Sequence, residues 1–581
     1  MGGGKVPGMP RRDVSEPVEL RVLDGPNLYF TRPAIKLTLA VPGWLGLSEG
    51  RAAALAARMG LSDASPVSYR PGPPRSEARR RFVRRIASHV TKRVAEETGT
   101  SLAVRARPGS EPDHVVVAYP WQHRTAAEAL GQEVAALVTN ALDGRRSFSR
   151  LVREAGIRLR DVEPGPIPVV PDPAIPVIAV TGTNGKTTTV RLLAHLVRAA
   201  GRTVAYSSTD GVYVGDRLVE AGDYSGFGGA ARALAQPGVD VAVLETARGG
   251  MLLRGIGTLH NDVAVVTNVS ADHLDLHGIR TVDQLAEVKS SVTRITRPGG
   301  WDVLNADDPR VLAMRRIARG RPWLFSLDPD HPAIRTVLGE GGRATSVIDG
   351  ALSVLLPGRD PHRLLLLEDV PVTLAGISRN NVQNAMAAAS AALAVGLPER
   401  AVVRGLKSFV LDEVSNPGRA NLYELDGRIV VIDYAHNEAG MRGMTEVLRG
   451  LCRPGGEVWL SFCTAGDRTN QILHDLGYTA ARGSDHPSIA ELPRYLRGRD
   501  PQDLYERLRA GAEDGGAKDV PVLPDEVHAL TWMLDESRPG DVIGITALGQ
   551  RRELFALLRG RDAAQVTPSR VRALVRRARR T

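Results

Sequence analysis

The stretch VTGTNGKTTT, residues 180–189, decides the fold. It follows an apolar run at 176–180 and precedes an amphipathic run at 190–199, an order that reads as strand, glycine loop and helix. Such a loop turns backbone N–H groups inward at a helix N-terminus whose partial positive charge favours anions, so it is built to hold a polyphosphate. Gly182, Thr183, Asn184, Gly185, Lys186, Thr187 and Thr188 are the expected contacts. Lys186 neutralises the terminal phosphates, and Thr187 presents its hydroxyl to a bridging Mg²⁺. The loop is shorter than the eight-residue phosphate-loop pattern, since Gly182 and Gly185 are only three apart.

Working outward, the 581 residues are enough for three or four domains, each with its own core. No apolar run approaches a membrane span, and the opening MGGGKVPGMPRRD lacks the apolar centre of a signal peptide, so a cytoplasmic enzyme is expected. Two cysteines, Cys452 and Cys463, exclude a disulfide framework and a cysteine metal site. The net charge of +10 raises the question of nucleic acid. The basic runs at 75–85 and 569–580 interleave no stacking aromatics, and solvated helix faces are the better reading.

Only seven of the 75 basic residues are lysines, so a position that keeps lysine points to chemistry a guanidinium cannot perform. Lys289 is one of these. It lies in DQLAEVKSSVTRI, where Leu285, Val288, Val292 and Ile295 recur at helical spacing and put it at the margin of the inward face. Between the loop and this helix, DVAVLE reads as a buried strand ending at Glu245. DVAVVTN reads as another, followed by Asp272, His273 and Asp275. Ligands of open parallel sheets gather at the carboxyl ends of the strands, so Glu245 and His273 are expected to converge on the loop.

GTNGKTTT, ETARGG, NVSADHLDLHG, Lys289 ahead of GGWDVLNADDP, SRNNVQNAM and DYAHN resemble, in this order, the ATP-dependent Mur ligases. Within that superfamily GDYSGFGGA and ETARGGMLLRG are most similar to the Mur-ligase part of cyanophycin synthetase. The stretch at 20–39 is similar to the opening of that family's N-terminal domain, the rest of which is degenerate here.

The resemblance implies a two-step amide synthesis: ATP converts a carboxylate to an acyl phosphate, and an amine displaces phosphate. Thr187 and Glu245 would hold one Mg²⁺ and His273 a second, with Lys289 at a position often carbamoylated, so that it too supports metal. Lys186, Glu245, His273 and Lys289 are thus the catalytic set. Asn381 and Asn384 match the family's asparagine helix, Arg419 its linker arginine, and Asp433 and His436 the start of its C-terminal domain, all toward the nucleotide. This chain has Glu438 where the pattern has proline.

An α/β, multidomain chain follows, with a central parallel sheet of Mur-ligase type flanked by helices and smaller α/β domains at either side. The expected division is an N-terminal domain at 1–165, a central ATP-binding domain at 166–417, a C-terminal domain at 418–560 and a basic tail at 561–581. The proline-rich segment 162–176 takes the junction where a full cyanophycin synthetase carries an ATP-grasp domain, so a single ATP site is expected. Joining of β-aspartyl-arginine dipeptides is the leading specific reading. The partners are then a small-molecule or peptide substrate with a carboxylate and an amine acceptor, with no nucleic acid and no membrane; a homo-oligomer is compatible with this. Two alternatives stay open: another Mur-type ligase acting on a muropeptide, folate or specialised peptide, and a non-catalytic ATP-binding scaffold.

Overall fold

The structure, a computed structural model, describes residues 16–61, 70–272, 274 and 276–579. The chain forms two compact units. The first takes the residues up to Pro171 together with Gly249–Leu259, and the second takes Asp172–Arg248 and His260–Thr581.

In the first unit, antiparallel strands run in the order Glu16–Leu23, Ala34–Ala40, His114–Pro120 and Arg105–Pro108. Alternation sends Ile35, Leu37, Leu39, Val115, Val117 and Tyr119 to one face, into a core shared with the helices Glu77–Glu97 and Arg124–Asp143. The arginine run at 75–85 is therefore only partly a solvated face. Phe82, Val83 and Ile86 are buried, and so is Arg79, whose guanidinium donates to the carbonyls of Trp44, Leu47, Pro71 and Gly72. The segment Gly249–Leu259 is tied into this unit by Gly25 N–H to Arg254 O (3.1 Å), Ile256 N–H to Pro26 O (2.6 Å) and an Arg254–Asp24 ion pair (2.6 Å).

The second unit holds two sheets. In the larger, Val177–Thr181 lies between Val241–Glu245 and Asn261–Val266, parallel to both. Further parallel strands are Val204–Ser208 on one side and Thr296–Asn305, Arg321–Ser326 and Arg343–Ile348 on the other; antiparallel strands finish both edges. Strands buried on both faces read as continuous apolar runs, and VIAVT and VAVLE are buried throughout. The helix Arg379–Ala394 packs on Lys186–Ala199, and its alanines, none exposed, let the backbones approach closely.

The smaller sheet runs Val522–Leu523, His486–Ala490, Val458–Phe462, Val542–Thr546 and Arg428–Asp433, all parallel, followed by two antiparallel strands. Within 561–581 lies the helix Pro568–Ala578, amphipathic and docked: Val571, Leu574 and Val575 are buried, Arg570 pairs with Glu424, and Arg576 with Glu368. Both α/β halves agree with the fold class expected from the sequence. Among the described residues no helix is long and apolar enough to cross a membrane.

Candidate functional site

The loop leaves the carboxyl end of Val177–Thr181 and enters the helix Lys186–Ala199 at Gly185. Two glycines are sterically required. Gly185 has φ +84°, and a Cβ there would lie 2.1 Å from Asn384 Oδ1; a Cβ on Gly182 would lie 1.8 Å from Thr267 Oγ1. The neighbouring strand end holds the loop backbone. Asn184 N–H donates to Asn268 Oδ1 (2.9 Å), Thr183 N–H to Asn268 O (2.9 Å), and Thr267 Oγ1 to Asn184 O (2.6 Å). Lys186 Nζ curls back to Thr183 O at 2.8 Å.

At the helix start three oxygen-bearing groups converge. Thr187 Oγ1 donates to Glu245 Oε2 (2.9 Å), and Thr209 Oγ1 donates to Glu245 Oε1 (3.0 Å). Glu245 is buried at 2% exposure. The Glu245 carboxylate and the Thr187 hydroxyl form a hard-oxygen pair that fits Mg²⁺, with the Thr209 hydroxyl holding the other carboxylate oxygen. No group of three or more His, Cys, Asp or Glu side chains is arranged to hold a metal ion among the described residues. His273 and Asp275 lie outside those residues.

Lys289 sits deeper than the margin expected of it, 3% exposed, with Nζ donating to Gly182 O at 2.6 Å. Burial, reinforced by the charge of Lys186, pushes its ammonium well below the usual lysine range, while Asp272 and Glu245 oppose the shift. A buried, proton-poor amine is the form of lysine that can react with CO₂.

The other nucleotide candidates fall into two groups. Asn384 links the asparagine helix to the loop helix: its Oδ1 accepts from Thr189 Oγ1 (3.4 Å) and its Nδ2 donates to Asn381 Oδ1 (3.0 Å). Arg419 stacks its guanidinium 4.0 Å from the Tyr434 ring centroid. The Asp433 carboxyl accepts Ala420 N–H (2.8 Å) at the linker end, and burial raises its pKa against the pull of Arg419. His436 Nε2 lies 3.6 Å from Asp272, which also pairs with buried Arg468 at 3.1 Å. Beside Ser270, whose N–H donates to Thr183 Oγ1, opens a cleft of about 720 Å³ lined by Asp307, Arg379, Gln383, Arg442 and Asp475.

Several residues that shape this site escaped sequence reasoning. Thr209 reaches Glu245 only because Val204–Ser208 lies parallel to Val241–Glu245, with Ser207 opposite Leu244. Asp210 next to it receives buried Arg191 (3.0 Å) and Arg551 (2.9 Å) from the smaller α/β half. Asn437 caps the helix Glu438–Leu451 through Gly440 N–H (2.9 Å), which gives the turn its stop without proline. Glu438 then falls in the first turn, where the helix dipole favours an anion, and pairs with Arg442. Of these, DYAHN alone carried a local signal, an asparagine ahead of a helical run.

Residues 180–392 match the Mur ligase middle domain, and residues 418–549 match the Mur ligase glutamate ligase domain. The chain belongs to the Mur ligase family, whose members are ATP-dependent ligases joining an acid to an amino acid. It is 36% identical over 453 residues to the cyanophycin synthetase of Synechocystis sp., a match covering 78% of this chain and 47% of that protein. To the cyanophycin synthetase of Trichormus variabilis it is 40% identical over 317 residues, covering 55% and 35%. To the UDP-N-acetylmuramyl-tripeptide synthetase of Deinococcus radiodurans it is 28% identical over 389 residues, covering 65% and 74%. The chain spans about half the length, or less, of the cyanophycin synthetases it matches.

Proposed function

We propose that this chain is an ADP-forming ligase that joins a carboxylate to an amine, with peptides of β-aspartyl-arginine type as its substrates. The observation that carries the reading is the convergence of Thr187 and Thr209 on buried Glu245 at the mouth of a glycine loop. Similarity to cyanophycin synthetases over 78% of the chain supports the substrate class.

In this reading the loop from Gly182 to Thr188 cradles the phosphates, and Lys186 leaves its resting bond to Thr183 to neutralise them. Mg²⁺ ions, two in number, supply charge neutralisation at the phosphates; Thr187 and Glu245 would hold one, and His273 with a carbamoylated Lys289 would support the other. Asn381, Asn384, Arg419, Asp433 and His436 hold the remainder of the nucleotide. A substrate carboxylate oxygen attacks the γ-phosphorus, ADP departs, and an acyl phosphate forms. The amine nitrogen then attacks the acyl carbon, inorganic phosphate leaves, and the nitrogen gives up a proton as the amide forms. The protein's part is positioning and charge compensation. The mixed-charge cleft beside Ser270 has carboxylates and arginines suited to a dipolar peptide. The working division is an N-terminal domain at 1–165, an ATP-binding domain at 166–417, an acceptor domain at 418–560 and the docked basic segment at 561–581.

The test is phosphate release from Mg-ATP by the purified chain, offered β-aspartyl-arginine, cyanophycin primers, free amino acids, folates and UDP-muropeptides in turn. Stimulation by the dipeptide with a primer is expected. Stimulation by a UDP-muropeptide or a folate alone would move the chain to another Mur-type reaction, and no stimulation by any substrate would leave a nucleotide-binding scaffold.

A further inference from the structure

We infer that Asn437 is a positioning residue that makes the order of the glycine loop and the docking of the smaller α/β half a single event. The inference rests on the phosphate-binding reading of the loop.

The backbone of Asn184 is fully engaged from its own sheet. Its N–H goes to Asn268 Oδ1, and its carbonyl accepts both Thr267 Oγ1 and Asn268 Nδ2 (3.1 Å). Its side chain is turned to the other half of the unit. Asn184 Nδ2 donates to Asn437 Oδ1 at 3.0 Å, and Asn437 Nδ2 donates back to Asn184 Oδ1 at 3.0 Å. Asn437 is 0% exposed and Asn184 partly exposed, so the pair is sheltered from water on the Asn437 side.

Capping does not account for asparagine at 437. The cap needs one acceptor oxygen, which serine or aspartate supplies equally well. The reciprocal pair needs an acceptor and a donor on one planar group at this reach, which among short side chains only asparagine offers. The neighbours hold the segment rigidly: Thr464 Oγ1 donates to His436 O (2.8 Å), and His436 Nδ1 lies 2.9 Å from Tyr434 O. A change at the loop therefore acts directly on the first turn of the helix Glu438–Leu451, and a displacement of that helix acts on the loop. Coupling of this kind is reciprocal by thermodynamic necessity.

The test uses the full chain and Mg-AMPPNP, with hydrogen exchange read by segment and steady-state phosphate release read in parallel. In the unaltered protein Mg-AMPPNP should protect both 182–189 and 437–441. Asn437→Ser keeps the cap, so protection of 438–451 without nucleotide should be unchanged, while nucleotide-induced protection stops at 182–189. Its kcat should fall about tenfold, because the halves are no longer held in register. Its KM for ATP should move by less than about threefold, since the phosphate contacts remain. Asn437→Asp keeps the cap and one of the two bonds and should fall between; it decides the matter if the serine variant frays. Transmission of protection to 437–441 in both variants, with kcat intact, overturns the inference and leaves the ligase reading standing. Failure of the unaltered protein to bind Mg-AMPPNP overturns both.

Discussion

Thr209→Val removes one hydroxyl and nothing else of comparable size, and it tests whether Glu245 is a metal carboxylate held in place by its neighbours. In the structure Thr209 Oγ1 donates to Oε1 at 3.0 Å, the residue's own N–H reaches Oε2 only at 3.4 Å, and the other hydroxyl on the carboxylate is that of Thr187. With Mg²⁺ present the Thr187 oxygen would turn to the metal, leaving Thr209 as the side chain that fixes the carboxylate plane. A hydrogen bond to a charged group contributes about 1.5–3 kcal/mol. Groups that orient a metal ligand in this way are worth about 10–100-fold in metal affinity. We therefore expect the Mg²⁺ concentration for half-maximal phosphate release to rise at least about tenfold in Thr209→Val, with kcat at saturating Mg²⁺ within about threefold of the parent. Glu245→Gln, which removes the charge itself, should not be restored by any Mg²⁺ concentration. An unchanged Mg²⁺ titration in Thr209→Val would refute the reasoning.

Lys186→Ala should abolish nucleotide turnover while the thermal unfolding midpoint stays within a few degrees, because among the described residues its half-buried amine hydrogen-bonds the Thr183 carbonyl alone; retained turnover would remove the loop from the mechanism. Lys289→Ala should be inactive and partly rescued by short carboxylic acids, and mass spectrometry of the gently handled active protein should find CO₂ on Lys289; an active protein with an unmodified amine there would refute the carbamate. Asp302, 0% exposed, accepts Thr296 Oγ1 and Gly320 N–H (2.7 Å each), and burial raises its carboxyl to about 7. With the folded value above the unfolded one, its contribution is fully present below about pH 4 and is lost as pH rises through 7. Asp302→Asn can keep both bonds by donating to Thr296, so its gain in stability over the parent should be much larger at pH 8, up to about 4 kcal/mol at 1.36 kcal/mol per pH unit, than at pH 4.5, where it is about 1 kcal/mol. Equal melting shifts at both pH values would contradict this.

How much of this was legible beforehand depends on the range of the interaction. The loop and the strand before it could be read because a buried parallel strand is a short continuous apolar run and the glycine pattern is local; the structure places them at 177–185. Lys289 could be picked out because lysine is rare here, but its full burial was not visible, since helical periodicity gives a direction and not a depth. The basic segment near 569–580 looked solvated because charge dominates its composition. Its three buried apolar residues join a core built largely from elements distant in sequence.

Sequence by itself determined the order of strand, glycine loop and helix, the glutamate at the end of the next parallel strand and the α/β class, because propensity and periodicity act over a few neighbours. Tertiary structure alone decided that Thr209 and Thr187 share one carboxylate, that Asp210 collects Arg191 and Arg551, and that Asn184 and Asn437, far apart along the chain, exchange two hydrogen bonds. Those pairings follow from which strands lie side by side and in what register, and from the packing of the two α/β halves of the second unit, which no local pattern encodes.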